Sequence, residues 1–539
     1  MTLDSNKVRL VMSDPVQLQS EPEAVKIPPF ISTPVDHIPV IRATLKNAFK
    51  TGRTKSIQFR RQQLLSLAYL IKDNFHLFQQ ALASDLGRSH HETTILELGS
   101  TLTEVMTAYH NVAKWSKPEK ARWSLNYFAM NPTIRKEPKG VVLIISPFNY
   151  PLWVSLGPFA GAIAAGNACT LKPSELTPAF SALLAELFPK YLDPDLYTVI
   201  NGAIPEATKL LEFQWDHILF TGGSRIASIV LTAAAKTLSP VSTELGGKSP
   251  AVIDPNCDLK LTARRLVWGK VANAGQTCIA PDYALVPKSI VDQFVQACKD
   301  VLSDFYPEGA ESSDSFARIV SPSHFNRIKG LLDRTEGEIV YGGGMNSQTK
   351  FIEPTIVTGV KGNDSLMGEE IFGPILPVIE VENVDEAIDF INARDHPLSL
   401  YVFSSNRAFK DKVAENTQSG AVVMNDTLTH CVAEGLPFGG IGPSGSGYHT
   451  GKYSFDMFTH LRSTLDNPTF LERLLWARYP PYNEQKAKSF MLLTLPSMPA
   501  RTAAGGYAGS KRWGPLLIAS VVAVSSFVLL IGRPRLVRA

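Results

Sequence analysis

Two short stretches offer a thiol and a carboxylate together: T-E-L-G-G-K-S-P at 243–250 and N-A-G-Q-T-C-I-A-P-D-Y at 273–283. Cys278 follows Glu244 by 34 positions (278 − 244). A cysteine in a Gly–Gln–Thr turn is placed to present sulfur in a cleft, where the thiolate rather than the thiol does covalent chemistry. Each residue alone has a bland reading. A free cysteine is most often an inert core residue, and a glutamate before two glycines is most often a solvated turn. The other cysteines, Cys169, Cys257, Cys298 and Cys431, bring the total to five with no C-x-x-C spacing. That pattern fits neither a disulfide framework nor a zinc site, and points to a reducing compartment. His90, His91 and His430 have no second ligand at metal spacing, so no metal is expected.

Further motifs follow in register: P-F-N-Y-P (147–151), K-P-S-E (172–175), F-T-G-G-S-R-I-A (220–227), E-E-I-F-G-P (369–374) and P-F-G-G-I-G-P-S-G (437–445). With the first pair they make seven, and together they resemble the aldehyde dehydrogenase superfamily. The I-A-P-D-Y run after Cys278, Y-P-P-Y at 479–482 and an apolar tail are most similar to its class 3-like branch, the membrane-anchored fatty aldehyde dehydrogenases. The resemblance implies an α/β fold with a Rossmann-type cofactor domain, an α/β catalytic domain and a small β oligomerisation arm.

It also implies roles. Cys278 attacks the aldehyde carbon, and the Asn149 amide with the Cys278 N–H meets the charge developing on oxygen. Hydride leaves to a nicotinamide, and Glu244 activates the water that hydrolyses the thioester. Lys172 and Glu175 hold the adenosine ribose, Glu370 the nicotinamide ribose, and Phe372 packs near the ring. The turn Gly222, Gly223, Ser224, Arg225, Ile226, Ala227 starts a helix whose free N–H groups face a pyrophosphate. Two residues depart from the family pattern there, Ala227 for a common glycine and Arg225 for an acidic or small residue. Arg225 leaves NADP open, while NAD is the expected cofactor. Thr450 interrupts a Y-H-G-K turn in G-Y-H-T-G-K (447–452). Aromatic aldehydes, or a CoA-acylating reaction on the same scaffold, are the alternatives. Glu244 argues against the second.

The elements that must position these residues are legible as short apolar runs alternating with helices: 141–146, 168–173, 196–201, 217–222 and 249–254, then 340–345, 355–357, 375–381 and 421–425. Such runs suit a parallel sheet covered on both faces. Helices are expected at about 56–86, 92–115, 181–188 and 484–493. The implied organisation is an N-terminal arm (1–30), a cofactor-binding domain (31–247, with part of the oligomerisation arm near 125–140) and a catalytic domain (248–445). A C-terminal arm with a possible gatekeeper helix (446–490), a linker (491–512) and a transmembrane tail anchor (513–532) follow.

With 53 basic and 50 acidic residues in 539, the chain has no electrostatic footprint for nucleic acid. Met1 to Leu18 lacks an apolar run, so no secretory signal is expected. From Trp513 to Gly532 there is an uncharged stretch of twenty residues between Lys511–Arg512 and Arg533, Arg535 and Arg538. As a helix it spans about 30 Å, one bilayer core. The expectation is a homodimer anchored by this tail, its catalytic part cytosolic, on the mitochondrial outer membrane, endoplasmic reticulum or peroxisome.

Overall fold

The computed structural model describes residues 27–501, apart from 125, 474, 497 and 500. The chain forms two compact units, residues 27–119 with 134–463, and residues 120–133 with 464–501. The larger unit holds two open sheets.

In the first sheet the strand order is Gly445–Ser446, Val241–Glu244, His217–Thr221, Val141–Ile145, Ala168–Lys172 and Tyr197–Val199. All run parallel except the two-residue Gly445–Ser446, which lies antiparallel with Gly445 opposite Glu244. The chain winds outward from Val141–Ile145 in one direction and then returns to build the other side. That reversal leaves a crevice at the carboxyl ends of the strands, where ligands of doubly wound sheets sit. Every residue of Val141–Ile145, Ala168–Lys172 and His217–Thr221 is buried. Helix Trp153–Ala165, apolar on every side, is buried along its whole length, as such a helix must be.

The second sheet runs Glu338–Tyr341, Thr355–Thr358, Ile375–Val381, Tyr283–Pro287, Pro250–Ile253, Ser399–Phe403, Ala421–Met424. Only its first strand is antiparallel to its neighbour. Each sheet has its own apolar core. One gathers Ile38 to Leu245 with Val320, Phe455 and Phe458; the other gathers Ala251 to Val423.

The sequence reading needs three corrections. The helix expected over 56–86 is two, Ile57–Asp73 and Phe75–Leu86, because the Asn74 amide donates to Leu70 O and occupies an acceptor the next turn would use. The helix expected over 92–115 contains a π-turn, Thr94–Leu98, before Gly99–Trp115. Strands Val241–Glu244, Tyr283–Pro287 and Ser399–Phe403 were not among the expected runs. A helix does form at Glu484–Thr494, capped by the Asn483 side chain accepting from Lys486 N–H. Near 125–140 the chain forms the strand Thr133–Pro138, in a three-stranded sheet with Thr459–Thr464 at one edge. The tail anchor at 513–532 and most of the N-terminal arm lie outside the described residues. Among the described residues no helix is long and apolar enough to cross a membrane.

Candidate active site

Glu244 ends its strand at the carboxyl edge of the first sheet, and Gly222, just past Thr221 on the neighbouring strand, donates its N–H to Glu244 O at 3.1 Å. Lys172 ends a third strand on that edge. Cys278 comes from the loop between helix Leu259–Val271 and strand Tyr283–Pro287 of the second sheet. That loop is built on three consecutive left-handed residues, Asn273 (φ 53°), Ala274 (φ 52°) and Gly275 (φ 75°). Left-handed backbone is costly for non-glycine residues and persists only where surroundings enforce it. Here they do. Asn273 N–H donates to Glu92 Oε1 at 2.5 Å, the Gln276 amide is held by Asn273 O and Arg318 O at 3.0 Å each, and Val320 N–H donates to Gln276 Oε1 at 2.9 Å.

The same loop is tied to the one that carries Asn149. Asn273 Nδ2 donates to Asn149 O at 2.8 Å, and Tyr150 and Thr277 share a hydroxyl hydrogen bond of 2.8 Å. Beneath both lies Arg88, fully buried, which donates Nε to Asn273 Oδ1 (3.2 Å) and Nη2 to Asn149 O (2.5 Å), and pairs through Nη1 with Glu97. Glu97 sits in the π-turn, and its second oxygen accepts from Leu152 N–H (2.7 Å) and Trp153 N–H (3.0 Å). One buried ion pair thus fixes the backbone on both sides of Asn149. The Asn149 side-chain amide, itself buried, enters no hydrogen bond among the described residues. A free, rigidly mounted donor is what an oxyanion site requires.

The nearby Cys278 thiol lowers the Glu244 carboxyl a little, yet burial dominates and pushes it up to about 8. Its Oε1 has no partner among the described residues. Burial, then the carboxylates Glu244 and Glu370, push the Cys278 thiol well above its ordinary range. Glu370 is also raised to about 8 by burial, and a Cβ on Gly246 would meet its Oε2 at 2.3 Å. The E-L-G-G-K turn is therefore shaped around that acid. Around the thiol packs an apolar cluster including Tyr150, Trp153, Ile279, Leu398, Leu428 and Phe438, against which Leu96, Trp268 and Cys431 also rest.

A dinucleotide fits the carboxyl edge. Helix Ser224–Thr237 starts at Gly223 with no side-chain cap, and no atom lies within 4 Å of where a Gly223 Cβ would be, so its first N–H groups can take a phosphate. Ile226 beside it is exposed and Ala227 is buried. Arg225 is exposed and enters no ion pair or hydrogen bond among the described residues. Lys172 Nζ reaches Glu175 Oε2 and Pro173 O, both at 3.0 Å. Phe372 is held at φ 51°, its ring 5.8 Å from Phe148.

The structure thus brings Cys278, Glu244, Asn149 and Glu370 to one place. Sequence reasoning missed the supports, Arg88, Glu92, Glu97 and Asn273, and two lysines. Lys248 bonds Asp282 Oδ2 (2.5 Å), Leu366 O and Glu369 O. Lys270, lowered to about 8 by burial, faces Asp282 Oδ1 at 3.6 Å. Among the described residues no group of three His, Cys, Asp or Glu could hold a metal.

A profile of the aldehyde dehydrogenase family matches residues 32–464. The chain belongs to the aldehyde dehydrogenase family. Aldehyde dehydrogenase family 3 member A2 of Mus musculus is 43% identical over 488 residues, 90% of this chain and 98% of the relative. A dimeric, NADP-preferring aldehyde dehydrogenase of Rattus norvegicus is 44% identical over 436 residues, 81% of this chain and 96% of its own. Among solved structures, Staphylococcus aureus AldH in a substrate-bound state superposes with a TM-score of 0.81 at 39% identity, covering 84% of this chain and 99% of that one. This aldehyde dehydrogenase accordingly uses a nicotinamide dinucleotide, and its two sheets carry the family's cofactor-binding and catalytic halves.

Proposed function

We propose that the enzyme oxidises medium- to long-chain aliphatic aldehydes to carboxylic acids with NAD. The observation that carries this reading is the Cys278–Glu244 pair set beside an apolar cluster. Cys278 gives up its thiol proton to solvent as its sulfur bonds the aldehyde carbon, and the new oxyanion is met by the Asn149 amide and the Cys278 N–H. A nicotinamide dinucleotide, when bound, supplies the acceptor for the hydride that leaves this carbon. A thioester on Cys278 remains. Glu244, whose Oε1 is unpartnered, takes a proton from water as the water attacks the thioester and returns it to the departing sulfur, so the acid leaves with Glu244 and Cys278 both restored. Lys172 and Glu175 bind the adenosine ribose, the Gly222–Ala227 turn the pyrophosphate, and Glu370 the nicotinamide ribose, with Phe372 near the ring.

The relatives' class and the apolar tail support a lipid-derived substrate. The tail at 513–532 anchors the protein in a cytosol-facing membrane, where apolar aldehydes concentrate, and the enzyme works as a homodimer. Rates on hexanal and hexadecanal, with NAD and with NADP, for the full chain and for a chain lacking 505–539, test these statements. Oxidation absent from the wild type, or unchanged in Cys278→Ser, overturns the mechanism. Equal rates on both aldehydes with and without the tail overturn the lipid assignment.

A further inference from the structure

A cavity of about 410 Å³ runs along one face of helix Gly99–Trp115, whose Ser100, Thr103, Glu104, Thr107 and Asn111 follow one another at helical spacing along its wall. Facing them are the segments 432–435 and 450–452. Two chain segments and one hydrogen bond link the cavity wall to the apolar cluster at Cys278. Leu96 and Cys431 pack on that cluster, while the adjoining Ile95 and Val432 line the cavity. Trp153 joins the two directly: its ring belongs to the cluster and its Nε1 donates to Glu104 Oε1 at 2.6 Å.

Glu104 is the anomaly. It is 8% exposed and has no Lys, Arg or His within ion-pair distance among the described residues. Besides Trp153 it meets only Gly451 N–H, at a long 3.4 Å. A carboxylate offers about four acceptor positions, so two hydrogen bonds leave this one under-satisfied beside a cavity. Lys452, the cation on the opposite wall, is already paired with Asp456. Burial pushes Glu104 up to about 7, so near neutral pH it alternates between acceptor and donor. An uncompensated buried carboxylate is expensive to keep, and the fold keeps it where a ligand could meet it.

The opposite wall is also unusual. Thr450, the residue that interrupts the Y-H-G-K turn, lines the cavity at φ 84°. For a β-branched residue that is a genuine outlier, and such strain gathers at ligand clamps. Its N–H is satisfied by Ser454 Oγ at 2.8 Å, so the turn is held open rather than frayed.

We propose that this cavity is a tail subsite of the aldehyde site, in which Glu104 receives a hydrogen-bond donor, an ammonium or a hydroxyl, at the end of the substrate remote from the carbonyl. The inference rests on the aldehyde-oxidation reading and narrows its substrate class, from plain aliphatic aldehydes to those with a polar terminus. Trp153 stands between the cluster and the cavity wall, and its hydrogen bond to Glu104 sets the orientation of the ring.

Two measurements on the full-length enzyme test it. Calorimetric titration with octylamine and with octanol, slightly above neutral pH and without aldehyde, should give the amine at least tenfold tighter binding, as a charge-assisted hydrogen bond does. Glu104→Gln keeps the side-chain volume and an oxygen for Trp153 Nε1 but removes the charge. The amine's advantage should fall below about threefold while octanol binding changes less than about twofold, against that tenfold effect. Separately, kcat/KM for 8-hydroxyoctanal should exceed that for octanal about tenfold through a lower KM, the worth of one buried hydrogen bond. Equal binding of amine and alcohol by the wild type, or an advantage that survives Glu104→Gln, overturns the subsite. Failure to oxidise octanal at all would instead overturn the aldehyde reading, and the titrations would still report on the cavity. If Glu104→Gln does not fold, equal kcat/KM for the two aldehydes in the wild type remains sufficient to overturn the proposal.

Discussion

Replacing Glu244 by Gln should make the protein more stable and nearly inactive. The carboxyl titrates near 4.5 when free and at about 8 in the fold, so the folded state holds a proton that the unfolded chain has released over that interval. Stability contributed by the protonated group is complete below about pH 4.5 and is lost as pH rises through 8. At about 1.4 kcal/mol for each tenfold change in proton activity, the full interval corresponds to roughly 3–5 kcal/mol. A glutamine cannot ionise and avoids this loss. Denaturation of both proteins, followed by tryptophan fluorescence, should therefore show the variant's advantage widening by about 4 kcal/mol between about pH 5 and about pH 9. The kinetics should separate two steps. A rapid burst of reduced cofactor, near one per active site, should survive, because thiol attack and hydride departure do not need the water-activating role. Steady turnover should drop roughly 10²–10⁴-fold as the thioester waits for unassisted water. A stability gap that stays constant with pH would refute the burial argument. Unimpaired steady turnover would refute the assignment of Glu244 as base.

Arg88→Met leaves Glu97 buried without its cation and removes a donor from Asn149 O. Breaking such a pair costs about 3–5 kcal/mol, so the thermal midpoint should fall, and kcat should fall further than cofactor affinity measured by fluorescence quenching. Gly246→Ala places a methyl against Glu370 Oε2 at 2.3 Å. The acid must swing away, and NAD binding should weaken about tenfold, the worth of one hydrogen bond, with stability little changed. Gly275→Ala combines φ 75° with a Cβ at 2.2 Å from the Gly373 carbonyl. No side chain can move to relieve that contact, so both the thermal midpoint and the reactivity of Cys278 toward iodoacetamide should fall.

The reacting residues were legible because each sits in a compact local motif, and the sheet edges were legible because strands buried on both faces read as unbroken apolar runs. Val241–Glu244 escaped because V-S-T-E is mostly polar, being the strand that delivers the base itself. The break at Asn74 depends on a side chain turning back on its own helix, which helical periodicity does not register. Arg88, Glu92 and Glu97 were invisible for another reason. They lie roughly 180 residues before the loop they steady, and as isolated charges they read like any solvated helix face. Only the fold shows that their charges are spent inside the protein.

The carboxylates around Cys278 have a consequence for the enzyme between turnovers. Burial first, and then Glu244 and Glu370, raise the thiol, so in the free enzyme the sulfur stays protonated and dull toward electrophiles and peroxide. An idle molecule is thereby protected from the very class of compound it consumes.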